Sequence, residues 1–397
     1  MIPRALEEKM ESDLRSLKDQ GLWGVRRILS SAQGPRAVLD GRETVILTST
    51  NYLGLASDPD VVAEATRILQ THGAGEASGP RICGVTDIHL QLEEYIARFH
   101  KTERAVLFAS CFLANVGVIT ALMGKEDVIF SDALNHASIV DGCRLSGAKI
   151  QVYPHLDLKA LEDGLRSAGG YRCKMIITDG VFSMDGDVAP LPELIEIARR
   201  YEAILVVDDA HATGVLGRSG KGTPELFGVE GQVDIITSTL GKAMSGSIGG
   251  YVASTAQIVE YMIQRARTYR FTNVVPAATV ATALAAFKKL ESHSETILGR
   301  LRENTRYFKD ALSAAGFEIA PSQTPIVPVM VRDGALAMDM SARLLEEGVF
   351  VQGYSYPVVP RGEERLRCIV SAAHTREDLD FAVDAFNRVG KRLKLIA

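Results

Sequence analysis

Between about residues 100 and 255, the chain alternates short aliphatic and β-branched runs with stretches whose apolar positions recur at helical spacing. The runs at 105–109, 128–130, 149–153, 175–178, 204–207, 235–238 and 250–253 predict strands, most of them apolar on both faces. Leu191, Leu194, Ile195 and Ala198 share one face of a helix over 190–201, and Pro190 opens it, where the missing N–H costs nothing. Strands and helices in alternation predict a mostly parallel sheet covered on both faces, with ligands gathered beyond the carboxyl ends of the strands.

Beyond Phe287 the pattern changes to a long helix over 291–316, short strands at 326–331 and 366–371, and a last helix over 376–393. These elements predict a smaller α+β domain over 291–397, after a large α/β domain over 51–290. Residues 1–50 predict an amphipathic helix over 1–17 and short strands, packed on the small domain or on a partner subunit. Residues 105–124 form a twenty-residue stretch without a charge, long enough to span a bilayer. Ser110, Asn115, Gly117 and Thr120 interrupt it, and a buried strand followed by a buried helix accounts for it better.

A length of 397 residues exceeds one ordinary core and suits two domains. The net charge of -5, with both signs interspersed, excludes the basic face that nucleic acid requires. Cys83, Cys111, Cys143, Cys173 and Cys368 are scattered without a CxxC pair, which fits a cytoplasmic protein rather than a disulfide scaffold or zinc site. The eight histidines form no HExxH pair, and no metal site is expected. The N-terminus mixes charge signs and has no apolar segment of the kind that opens a signal peptide.

The chemistry-bearing residues follow predicted strands. Asp208-Asp209-Ala210-His211 follows the run at 204–207, and Thr239-Leu240-Gly241-Lys242 follows the run at 235–238. Taken singly, Lys242 is compatible with a solvated loop lysine, Asp208 or Asp209 with a helix cap, and His136 with a structural histidine. Together with Thr239 and the Ser110-Cys111-Phe112 turn, Asp208 and Lys242 could supply what pyridoxal phosphate requires, though spacing alone does not fix that reading. That cofactor needs a lysine amine as covalent anchor, a carboxylate beside its pyridine nitrogen, and hydroxyl and backbone N–H groups around its phosphate.

The runs 178–186 (TDGVFSMDG), 207–211 (VDDAH) and 239–243 (TLGKA) closely resemble the α-oxoamine synthase family of fold-type I pyridoxal phosphate enzymes. So do 51–55 (NYLGL), 132–138 (DALNHAS) and 371–374 (SAAH), in the family's order over nearly the whole chain. The resemblance implies an aspartate aminotransferase-like fold with a seven-stranded sheet, and a homodimer with shared active sites. It implies Lys242 as anchor, Asp208 at the pyridine nitrogen, His211 at the phenolic oxygen and His136 stacked on the ring. Ser183 would lie beside cofactor and substrate, Thr239 and the Cys111-Phe112 backbone at the phosphate, and Thr272 would reach the phosphate from the other subunit. Arg367, with Asn51, would hold the carboxylate of a small amino acid, and an acyl-CoA would supply the second substrate.

Within that family, 356–360 (YPVVP) and 371–375 (SAAHT) resemble the glycine C-acetyltransferase branch, which joins glycine to acetyl-CoA reversibly. The 8-amino-7-oxononanoate synthase branch, which uses alanine and pimeloyl-CoA, usually has threonine where Val359 stands. In 79–84 (GPRICG) the arginine, Arg81, lies one residue nearer Gly84 than the family pattern, and no substrate role is assigned to it. In 271–274 (FTNV) Thr272 keeps the hydroxyl of the family's usual serine, while Val274 loses one.

Two readings compete. Residues 73–78 (GAGEAS) nearly match a dinucleotide fingerprint, but they follow a predicted helix over 61–72 rather than a strand and lack the third glycine. A non-catalytic scaffold subunit would be expected to have lost the lysine, yet Lys242, Asp208 and His211 are all present.

Overall fold

The computed structural model describes residues 2–19 and 23–397. Met1, part of the expected N-terminal helix, lies outside the described residues. The apolar runs become the centre of a seven-stranded sheet. Its order, edge to edge, is Arg104–Phe108, Gly250–Ser254, Ile235–Thr239, Ala203–Asp208, Lys174–Asp179, Val128–Asp132 and Lys149–Tyr153. The last five are mutually parallel, while Gly250–Ser254 runs antiparallel to both its neighbours. The sheet is therefore mostly parallel, as its residue pattern predicts.

Alternation along each strand sends side chains to two separate cores. Ile176, Leu205, Val207 and Ile236 face one layer with Leu92, Ile96, Leu161 and Phe287. Met175, Ile177, Val206 and Ile235 face the other, with Val118, Ile119, Ile139 and Met262. The uncharged stretch divides into the edge strand Arg104–Phe108 and the helix Cys111–Leu122, which packs into the second layer. Among the described residues no helix is long and apolar enough to cross a membrane.

A third core gathers Phe308, Val327, Val329, Leu344, Leu366, Leu379 and Phe386 around the sheet Ile326–Met330, Arg365–Ile369 and Gln352–Tyr354. Strands Arg36–Leu39 and Arg42–Ile46 join this side of the molecule. Arg42–Ile46 pairs in parallel with Val349–Phe350, and Val45 and Leu47 enter the same core. The strands of the N-terminal segment thus pack on the smaller C-terminal domain, one of the two positions the pattern allowed, while the helix before them does not.

The long helix begins earlier than its pattern suggests. It spans Ala277–Ala314 with a kink at His293, where φ is -131°, and its first half packs on the large core. Helix Arg4–Asp19 buries none of its residues, and Leu6, Met10, Leu14 and Leu17 form an exposed stripe along it. Helix Pro59–His72 ends at Gly73, whose φ of +79° suits a residue without Cβ, so 73–78 is a loop after a helix, not a dinucleotide turn.

Gly250, at the start of the reversed strand, is fixed by close approach. A Cβ there would lie 2.2 Å from the Cys111 amide nitrogen and 2.5 Å from its Cα. Gly299, inside the long helix, faces open space, with no atom within 4 Å of a built Cβ. Gly250→Ala should therefore lower the unfolding free energy by about 1–3 kcal/mol or more through overpacking against backbone. Gly299→Ala should raise it by roughly 0.5–1 kcal/mol by restricting the unfolded chain. Urea melts of the two variants check both signs; equal effects would contradict this packing.

Candidate active site

The sheet topology brings several chain segments to one edge. Asp132, Asp179, Asp208 and Thr239 end neighbouring parallel strands, and Gly250 begins the reversed strand opposite Thr239. A small cleft opens there, lined by Cys111, Phe112, His136, Ser138, Asp179, Ser183, Asp208, Ala210, His211 and Lys242. Seven of the expected site residues thus meet in a single space.

Asp208 is buried, and its carboxylate is well supplied with donors. It accepts from Asn115 Nδ2 at 2.6 Å and from the Ala210 amide at 3.0 Å, with the Cys111 thiol 3.7 Å from both oxygens. Asn115 in turn accepts from the Thr237 hydroxyl at 2.6 Å and donates to Ser138 Oγ at 2.9 Å. This bracing fixes the carboxylate's rotation, and burial together with Asp208 pushes the Cys111 thiol well above its usual pKa. Asp179, whose Cα is paired in register with that of Asp208, is raised well above the carboxylate range by burial and by its neighbour's charge. It accepts the His136 amide at 2.8 Å and so holds the turn that carries that ring.

Both histidines are kept neutral. Burial lowers His211 well below its usual pKa, and the nearby charges of Lys242 and Arg367 add to the effect. Its Nδ1 lies 2.7 Å from the Tyr52 hydroxyl, whose own pKa burial raises. His136 caps helix Ala137–Ser146, its Nδ1 is 2.7 Å from Ser138 Oγ, and burial lowers its pKa as well. Lys242 is half-buried in the loop after Ile235–Thr239, and burial lowers its pKa against the opposing pull of Asp208.

Helix Cys111–Leu122 points its amino end at the cleft, with Ser110 accepting the Leu113 amide at 3.2 Å. The Cys111 and Phe112 amides of its first turn are available to an anion, and the missing Cβ of Gly250 lets that turn approach the sheet. Thr239 Oγ1 accepts the Gly241 amide at 3.0 Å, shaping the Lys242 loop. An amine, a braced carboxylate and a helix amino end within one small cleft form the donor set that pyridoxal phosphate requires.

Arg367, on strand Arg365–Ile369, reaches toward the cleft from the small domain. Nη1 donates to the Ser183 carbonyl at 3.0 Å, the guanidinium lies 5.1 Å from the Tyr354 ring centre, and the buried Nε has no partner. It has no carboxylate partner among the described residues. Its neighbour on the same strand face, Arg365, is already committed to Asp185 and Glu363.

Two further expected residues do not line this cleft, one of them, Thr272, being expected to reach it from the other subunit. The Asn51 amide is engaged with the Gln33 carbonyl at 3.2 Å and the Ala56 amide at 3.3 Å, so it fixes its own loop instead of lining the cleft. Thr272 lies in a separate hollow with Pro80, His89, Tyr269 and Val275. Arg81 is exposed in a loop. Asn115, Tyr52 and Asp179 were not singled out from the sequence. Asn115, the one amide in the uncharged stretch and four residues beyond Cys111, was the available signal.

Residues 42–386 match the model of the family "Aminotransferase class I and II". The chain is 48% identical over 393 residues to an 8-amino-7-oxononanoate synthase of Symbiobacterium thermophilum, covering 99% of this chain and 100% of that one. It is 46% identical over 384 residues to the mitochondrial 2-amino-3-ketobutyrate coenzyme A ligase of Bos taurus, covering 96% and 91%. The solved serine palmitoyltransferase of S. paucimobilis, with a PLP–myriocin adduct bound, superposes with a TM-score of 0.93 at 31% identity over 100% of both chains. Fold, cleft and relatives agree that this chain belongs to the α-oxoamine synthases, pyridoxal phosphate-dependent acyl-transferring enzymes of the class I and II aminotransferase fold.

Proposed function

We propose that the chain joins glycine to the acetyl group of acetyl-CoA, reversibly, in a homodimer whose cofactor is anchored on Lys242. The observation that carries the amino-acid half of this reading is Arg367. A guanidinium with a buried, unpartnered Nε and no carboxylate of its own, two residues beyond an arginine already paired, suits a substrate carboxylate. Asp208 is assigned to the pyridine nitrogen, His211 to the phenolic oxygen, His136 to the ring face and Ser183 to the cofactor and substrate edge. Thr239 and the amides of Cys111 and Phe112 are assigned to the phosphate. Asn51 supports the site by fixing the loop that carries Tyr52.

Bound pyridoxal phosphate supplies an electron sink for the pair left on the amino acid's α-carbon. Arg367 would hold the carboxylate so that one Cα–H bond faces Lys242. Lys242 Nζ, freed once the incoming amino acid's amine has replaced it as the cofactor's anchor and with its pKa lowered by burial, would take that proton as general base. The Tyr52 hydroxyl, donating to His211 Nδ1, would leave Nε2–H of that neutral ring as a donor into the cleft. The new carbon–carbon bond forms at the thioester carbonyl, and the CoA thiolate leaves.

The acetyl and glycine choice rests on 356–360 and 371–375, whose wording is that of the acetyltransferase branch, and on a buried Val359 where the sister branch usually has threonine. The identity to the Symbiobacterium synthase favours a second reading, alanine with pimeloyl-CoA. The division into a large body over 51–290 and a small one over 291–397 belongs to the same reading, with the cleft at the edge of the first and Arg367 carried by the second. The stripe Leu6, Met10, Leu14 and Leu17, with the exposed Phe271 beside Thr272, supports a second chain covering these surfaces.

Two measurements test this reading. The kcat/KM for each pairing of glycine or alanine with acetyl-CoA or pimeloyl-CoA, followed by CoA release, should favour glycine with acetyl-CoA. One methyl on the amino acid is worth roughly 1–3 kcal/mol of discrimination. A preference for alanine with pimeloyl-CoA would transfer the assignment to the sister activity. For the shared site, a Lys242→Ala chain is mixed with a Thr272→Asp chain. Proven heterodimers should regain activity because one of their two sites contains both intact residues; inactive heterodimers would contradict Thr272 acting across the interface.

A further inference from the structure

His155 lies between two carboxylates in a part of the molecule to which no role has been assigned. Nδ1 is 2.8 Å from Asp132 Oδ1 and Nε2 is 2.6 Å from Asp187 Oδ2. A neutral imidazole has one N–H, so two carboxylate partners require both nitrogens to donate and the ring to be a cation. Burial opposes that charge, but the hydrogen bonds to Asp132 and Asp187 raise the histidine to about 10. The ring also meets the edge of Phe182 at a centroid distance of 4.4 Å.

The two anchors belong to different loops of the site. Asp132 ends strand Val128–Asp132, its side chain is fully buried, and it also accepts the Leu134 and Leu156 amides at 2.9 Å. That turn leads directly to His136. Asp187 belongs to the loop at 182–188, which contains Ser183, whose carbonyl accepts Arg367 Nη1. The same loop is tied to the small domain by Asp185–Arg365, and Gly186 is pressed against Ser322 and Thr324, where a Cβ would lie 2.4 and 2.5 Å away.

We propose that His155 is a positioning residue for amino-acid recognition. As a doubly donating cation between Asp132 and Asp187, it fixes the loop at 182–188 so that the Ser183 carbonyl orients the Arg367 guanidinium. The inference rests on Arg367 as the carboxylate anchor. His155 touches neither substrate nor cofactor and acts through the loop. A glutamine in its place offers one amide nitrogen and no charge, so it cannot serve both carboxylates.

The test is a double-mutant cycle on the holoenzyme with His155→Gln and Arg367→Lys. It reads glycine and alanine Kd by calorimetry, and KM for both substrates. His155→Gln should weaken amino-acid binding about tenfold or more while changing the acyl-CoA KM less than twofold. In the Arg367→Lys background it should add little, because residues acting through one another are not additive. Multiplying effects, or equal losses for both substrates, would overturn the inference. If Arg367→Lys alone leaves amino-acid Kd unchanged, the carboxylate-anchor reading falls instead. Asp187→Asn, which cuts the same tie from the other end, carries the cycle if His155→Gln fails to fold, with the same expected and overturning results.

Discussion

The site depends on one constraint: a parallel sheet brings the ends of its strands to a common edge, and here three neighbouring strands end in buried aspartates. Asp132, Asp179 and Asp208 lie side by side, where water cannot stabilise three charges. Each has a different solution. Asp132 is met by a histidine cation and two backbone amides, and Asp179 is raised toward its neutral form while accepting the His136 amide. Asp208 is braced by Asn115 and the Ala210 amide. Buried carboxylates held in this way are groups whose orientation is fixed before any ligand arrives.

The rest of the site follows from that edge. Helix Cys111–Leu122 supplies Asn115 to Asp208 and, one turn earlier, presents Cys111 and Phe112 to the same cleft, so one short helix serves both the buried carboxylate and the cleft's lining. Gly250 allows this by leaving space for the Cys111 backbone. From the small domain, Arg365 and Arg367 lie on one strand face with separate tasks. The first locks the Asp185 loop, and the second remains free of carboxylates with its Nε unpartnered.

Much of this was legible in the sequence. All seven strands of the main sheet were marked by apolar runs, most of them because burial on both faces leaves few alternatives in residue choice, although the edge strand Lys149–Tyr153 is only partly buried. Asp208, His211 and Lys242 were legible as candidates because they follow such runs, and their roles, with that of His136, were legible through the resemblance of 132–138, 207–211 and 239–243 to the family. The braces Asn115, Tyr52 and Asp179 were not, since a hydrogen-bond partner 93 or 159 residues away leaves no local pattern. Asn51 illustrates the opposite case: its motif was recognised, but its amide turned out to hold Gln33 and Ala56. The short strands Val349–Phe350 and Gln352–Tyr354 offered too few residues for a period to emerge.

The central claim is that Lys242 removes the α-proton of an amino acid held in this cleft, with Asp208 sustaining the electron sink. It is tested most directly without any acyl-CoA, by following the loss of the glycine α-proton signal by NMR in D2O with the holoenzyme. The wild type should exchange that proton, and Lys242→Ala should slow the exchange by about 10²–10⁴-fold, the usual range for losing a positioned base. Asp208→Asn should also slow it. Exchange at the wild-type rate in the Lys242→Ala variant would contradict the account.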